Sequence, residues 1–184
     1  FQSLGHEVPL TGTRSWFTVN FAASLSAWQV SKLISAHPQL GPHRVVVHCE
    51  ADRILLVELE QPLASEPLFM KQLRRLERAS QIRWAIAGAH TPDGRALGFS
   101  DHVIVLTHKA PNTAKLAGRA KRAGATVVES LPFTHGVLLK VDSAQRHAVL
   151  SVAAKMRRYA DVLDAHPNFI RIKEKRKTAK KLLN

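Results

Sequence analysis

One cysteine is too few for an internal disulfide framework or a thiolate zinc site, because each needs partners. Cys49 stands alone among 184 residues. It falls in the strand-like stretch "VVVHCE" (45–50), where a buried, inert thiol is expected. Long hydrophobic runs are missing too. The longest, "VIVLTH" (103–108) and "GVLLKV" (136–141), have strand length. A bilayer crossing takes roughly 20 apolar residues, so no transmembrane segment is expected. The motifs of common chemistries are also missing. There is no GxSxG, no P-loop and no glycine-rich dinucleotide fingerprint. Ten histidines invite a metal hypothesis, yet none forms an H-x-x-x-H pair on a predicted helix and no HExxH occurs. Asp161, Asp164 and Glu174 suggest no acid pair. No catalytic residue, metal ligand, cofactor or small-molecule substrate is therefore assigned, and the chain is expected not to be an enzyme.

Charge of one sign is scarce. Fourteen Asp and Glu face twenty-seven Lys and Arg, a net charge of +13, while the 45% hydrophobic content is ordinary for a globular chain. Such a field attracts RNA, DNA or an anionic membrane surface. The excess is uneven. Residues 1–98 carry ten cations and eight acids, and residues 99–184 carry seventeen and six. The polyanion signal thus belongs to the second half.

Periodicity gives both halves one order of elements. In "SWFTVNF" (15–21), Phe17, Val19 and Phe21 alternate as on a half-buried strand. "SAWQVSKLISAH" (26–37) reads as a helix with Trp28, Val30 or Leu33, and Ile34 on its apolar stripe. "HRVVVHCE" and "RILLVELE" form a hairpin around Ala51 and Asp52. "SEPLFMKQLRRLERAS" (65–80) is a Ser-capped helix, and "IRWAIAGA" closes the half as a strand. In the second half, "DHVIVLTHKA" (101–110) is a strand and "NTAKLAGRAKRAGA" (112–125) a helix between Asn112 and Gly124. Two strands flank "THG", a helix over 143–156 starts at Ser143, and the last strand comes from "ADVLDAHP" or "NFIRIK".

The expected fold class is α+β: two tandem ferredoxin-like βαββαβ modules with antiparallel sheets and a basic C-terminal extension. The expected boundaries are an N-terminal extension (1–14), module 1 (15–89), a turn-rich linker (90–100), module 2 (101–172) and a basic tail (173–184).

The stretches "VIVLTHK" (103–109), "AGATVVESLPFTHGVLLKVDSAQRHAVL" (123–150) and "ADVLDAHP" (160–167) resemble the peptidase-inhibitor family formed by subtilisin propeptides. The resemblance covers roughly residues 102–166. It implies a ferredoxin-like fold and, functionally, an inhibitor or folding chaperone of a separate subtilisin-type protease. RNA-recognition motifs share the βαββαβ order but stack bases on third-strand aromatics. The third strands here, "RILLVELE" and "GVLLKVD", have none. Trp16, on the face opposite Phe17, Val19 and Phe21, is expected to face outward and contact another protein.

Small basic α+β domains with basic extensions resemble ribosomal proteins, and the whole chain looks like one from the mitochondrial ribosome. That resemblance implies a structural, non-catalytic component that binds rRNA phosphates and neighbouring proteins. The expected phosphate contacts are Lys109, Lys115, Arg119, Lys121, Arg122, Lys155, Arg157 and Arg158, with Arg171, Lys173, Lys175, Arg176, Lys177, Lys180 and Lys181 in a cationic arm. Arg74, Arg75 and Arg78 are expected to be an ordinary solvated helix face, because Glu66 and Glu77 dilute their field. The chain opens on Phe1, not Met, which suggests processing or trimming of a longer precursor. A removed organellar presequence would put the protein in the mitochondrial matrix, with a cytoplasmic ribonucleoprotein as the alternative. An accessory subunit of a mitochondrial membrane complex, its charge serving anionic lipid, is a further alternative.

Overall fold

The computed structural model describes residues 2–3, 6–7, 10–131, 134–142 and 147–171, and shows an α+β chain. Its elements in order are β1 (Gln2–Ser3), β2 (His6–Glu7), β3 (Thr11–Phe21), α1 (Ala27–Ser35), β4 (His43–Cys49), β5 (Ile54–Leu59), α2 (Glu66–Leu76) and β6 (Ile82–His90). Then come β7 (Ala96–Thr107), α3 (Thr113–Ala123), β8 (Ala125–Leu131), β9 (Gly136–Val141), α4 (Val149–Arg157) and β10 (Val162–Arg171).

Local chemistry sets the helix starts. Ser26 Oγ accepts from Gln29 N at 3.3 Å while Gln29 Oε1 accepts from Ser26 N at 2.8 Å, a reciprocal capping box for α1. Ser65 Oγ accepts from Leu68 N at 3.3 Å to open α2. Asn112 Oδ1 accepts from Lys115 N at 3.0 Å to open α3, and Gly124, at φ 88°, ends it in the left-handed region.

All pairing is antiparallel. The large sheet runs β4-β5-β3-β6-β7-β9-β8, with β10 paired to the other edge of β7. The strand pairing that joins the halves is short: β6 meets β7 at Ala89↔Leu97 and His90↔Ala96. From His102 onward that edge of β7 pairs with β9. One core, with Phe17, Val19, Leu55, Val57 and Ile82, lies under α1 and α2 through Val30, Ile34, Phe69 and Leu73. A second gathers Val103, Val105, Val137 and Leu139 with Leu116, Ala120, Val152 and Met156 from α3 and α4.

Several expectations need correction. The connector shrinks from 90–100 to the five residues between His90 and Ala96, because 96–100 belong to β7 and are buried. The stretch taken as an N-terminal extension already contains the start of β3 at Thr11, along with the small β1–β2 pair. Trp28 leaves the α1 stripe and is 65% exposed, with Lys32 Nζ 3.8 Å above its ring centroid. α4 starts at Val149 behind Ala148, without a side-chain cap; Ser143 lies outside the described residues. The two candidates for the last strand are one strand, with bulges between Val162 and Asp164 and between Pro167 and Phe169.

Trp16 does point away from Phe17, yet it is buried at 8% exposure rather than free to meet a partner. The second half covers it. Trp16, Leu56 and Ala96 form a third cluster, completed by Val47 and Ile170. The start of β7 and the end of β10 thus lie across the face of β3 and β5 that α1 and α2 leave open.

Candidate nucleic-acid interface

The apolar residues of α3, Leu116, Ala120 and Ala123, are spaced to bury one side of the helix. That leaves Lys115, Lys121 and Arg122 exposed on the other. α4 buries Val149, Val152, Ala153 and Met156 and exposes Lys155, with Arg158 exposed just past its end. Cations there also suit the negative end of the helix dipole.

Asp161, four residues after α4, lies against the first half of α3. Its Oδ1 accepts a close hydrogen bond from Arg119 Nη1, and its Oδ2 lies 3.5 Å from Lys115 Nζ. This contact ties the segment that follows α4 to α3 at Lys115 and Arg119. Lys121 and Arg122 lie further along α3. The Arg119 hydrogen bond, followed by weaker charge attraction, holds the Asp161 carboxyl below the usual carboxylate range.

A cleft of about 440 Å³ opens at the start of α3, lined by His108, Lys109, Asn112, Lys115 and Asp161 among others. Its rim is pinned. Thr107 Oγ1 lies 2.7 Å from both Lys109 O and His135 O, with its one proton to donate between them, and His108 N donates to Asp161 O at 3.2 Å. Lys109 and Lys115 thus stand on a fixed rim beside the first turn of a helix, an arrangement suited to phosphate oxygens.

Two expected contacts take other roles. Arg119 keeps only 11% side-chain exposure; its guanidinium packs 4.1 Å above the Tyr159 ring and is committed to Asp161. It ties α3 to the end of α4. Arg157 is half-buried, and among the described residues its Nε is buried without a hydrogen-bond partner. Arg171 closes β10 through backbone pairing with Leu97. Lys173, Lys175, Arg176, Lys177, Lys180 and Lys181 lie outside the described residues.

A second cleft, of about 460 Å³, lies between the halves and was not anticipated from the sequence. It is lined by Cys49, Asp52, Trp84, Asp101, His102 and other residues that the chain spaces far apart. His102 Nδ1 lies 3.0 Å from Asp101 Oδ1. Cys49, expected to be buried, is half-exposed at the end of edge strand β4 and donates to Asp52 Oδ2 at 3.0 Å. That hydrogen bond, first among the causes, pushes the thiol pKa up and keeps it protonated. Among the described residues no three His, Cys, Asp or Glu side chains converge as a metal site. Among the described residues no helix is long and apolar enough to cross a membrane.

No protein-family model matches the chain, and no curated protein matches it. Among solved structures, a protein from Bacteroides thetaiotaomicron is similar at 9% identity and a TM-score of 0.24, over 87% of this chain and 94% of its own. A candidate glycine cleavage system transcriptional repressor is similar at 14% identity and a TM-score of 0.23, over 85% of this chain and 95% of its own. At this level of likeness neither carries an argument about fold or function here.

Proposed function

We propose that the protein is a structural, non-catalytic component of a ribonucleoprotein that binds RNA phosphates through its second half. On this reading it is built from two ferredoxin-like βαββαβ modules, one ending with β6 and the other beginning with β7. The equal strand orders of the halves, β4-β5-β3-β6 and β8-β9-β7-β10, support that division. The carrying observation is charge placement. The second half holds seventeen of the cations against six acids. Lys109, Lys115, Lys121, Arg122, Lys155 and Arg158 are exposed on or beside its two helices.

Phosphate contacts of this kind neutralise and position RNA without reading sequence. Among the described residues, the aromatic positions that the sheets could offer for base stacking in β3, β6 and β9 are closed or lacking. Trp16 and Trp84 are both buried, and β9 presents no aromatic. A ribosomal subunit of the mitochondrial matrix is the proposed setting.

Density-gradient sedimentation of native lysate, with and without RNase, tests the proposal. Co-migration with a ribosomal subunit that is lost after RNase is the expected result. Migration as a small species, or with a particle indifferent to RNase, refutes it. The propeptide resemblance then becomes the reading to pursue, through inhibition of a purified subtilisin.

A further inference from the structure

α2 carries Lys71, Arg74 and Arg75 on one face, and Arg78 stands in the turn two residues past its end, so the four follow one another at i, i+3, i+4 and i+7. The row is about 10 Å long at the helical rise. All four are exposed and, with Pro67 and Met70, line a groove of about 480 Å³.

In the sequence Glu66 and Glu77 stand among these cations and dilute them. In the folded chain Glu77 is engaged away from the row, and Glu66 stands at the first position of α2, before all four cations. Glu66 lines a separate cleft shared with His147 and Leu150 of the second half. Glu77 Oε1 accepts from Ala85 N at 2.9 Å, and its Oε2 lies 3.5 Å from His147 Nε2. Among the described residues, the ion pairs of the other acids involve none of the four cations. Arg75 Nη1 reaches the neutral Gln39 Oε1 at 3.4 Å. Among the described residues, then, the ion pairs leave these four cations together on the half that sums to near neutrality. Like charges at this spacing repel along the helix, and a polyanion laid in the groove relieves that repulsion.

We propose that the α2 groove is a second phosphate-binding surface, which takes the sugar–phosphate backbone of the same RNA that the second half binds. The inference rests on the RNA reading above. A membrane surface fits the groove less well, because an interfacial helix needs an apolar face to insert. That face of α2, with Phe69, Leu73 and Leu76, is fully buried in the core. None of the exposed large hydrophobic side chains, Trp28, Val45, Val128, Leu150 and Leu163, is on α2.

The test uses the full chain, a fluorescently labelled structured RNA hairpin, and the slope of log affinity against log salt concentration. Each lost phosphate contact lowers that slope by about 0.9. R74Q/R78Q removes two exposed charges from the groove, and K121Q/R122Q removes two from α3. Circular dichroism checks that both variants keep the fold. The expected result is a slope reduced by about 2 in each variant. A reduction in K121Q/R122Q with none in R74Q/R78Q overturns the groove and leaves the RNA reading standing. No RNA binding by the unmodified chain overturns both, and loss of binding to phosphatidylserine vesicles in R74Q/R78Q then identifies a lipid surface instead.

Discussion

Replacing Gly98 with alanine tests the seam where the second half crosses the first. Gly98 lies in β7, and an added Cβ would come 2.4 Å from Thr18 Cγ2, 2.9 Å from Leu56 Cδ1 and 3.4 Å from Ile170 Cβ. Thr18 and Leu56 are fully buried, so the methyl has no free space to enter. Overpacking of this kind costs about 1–3 kcal/mol. The neighbouring hydrogen bond, from Thr18 Oγ1 to Phe99 O, must shift as well. Leaving that buried pair unmade would add about 1–3 kcal/mol. A total of about 2–4 kcal/mol is expected, allowing for partial relaxation of the strands. For a chain of this size that lowers Tm by about 5–15 °C. Urea denaturation followed by circular dichroism, with and without T18S, measures the effect. T18S keeps the hydroxyl and removes the offending methyl, so G98A should cost about 1 kcal/mol less in that background. A G98A stability within about 0.5 kcal/mol of the unmodified chain would refute the tight packing of this seam. So would a cost that T18S leaves unchanged.

N112A removes the cap of α3 and should cost about 1 kcal/mol in thermal unfolding. An unchanged Tm would show that packing alone holds that helix end. R119A should return the Asp161 carboxyl toward its ordinary value and speed amide exchange in α3; NMR titration and hydrogen exchange check both. Burial pushes His43 below its usual value near 6.5, where Ser31 Oγ lies 3.0 Å from its Nε2. The unfolded chain therefore takes up this proton first. Its contribution to stability is complete above about pH 6.5 and declines as pH falls below that toward the folded-state pKa. The stability difference between the unmodified chain and H43Q should show that slope, and a flat difference would refute the assignment.

Much of the framework was legible because it rests on short-range chemistry. Ser26, Ser65, Asn112 and Gly124 act within four residues of where they stand. The alternation of Phe17, Val19 and Phe21 marked the face of β3 that meets the helices, but the strand is not half-buried: Trp16, Thr18 and Asn20 on its other face are buried too. Most of the expected cationic surface of α3 and α4 was legible for the same reason, since Leu116, Ala120, Val152 and Met156 define which sides turn inward. The connector was misjudged because turn-forming composition in "HTPDGRALGFS" hides a strand that begins at Ala96. Nothing local marks that start.

Charge, helical faces, caps and strand alternation are set by neighbours in the chain, and these the sequence determined by itself. Long-range contacts decided the rest. Arg119 meets Asp161 forty-two positions away, a tie between α3 and the segment after α4 that no local pattern announces. Trp16 is buried because β7 and β10 cross its face. Glu77 turns away from the α2 cations because folding brings Ala85 N and His147 Nε2 to its carboxylate. A side chain's direction follows from its own helix or strand, but what covers or neutralises it depends on segments that only folding brings near.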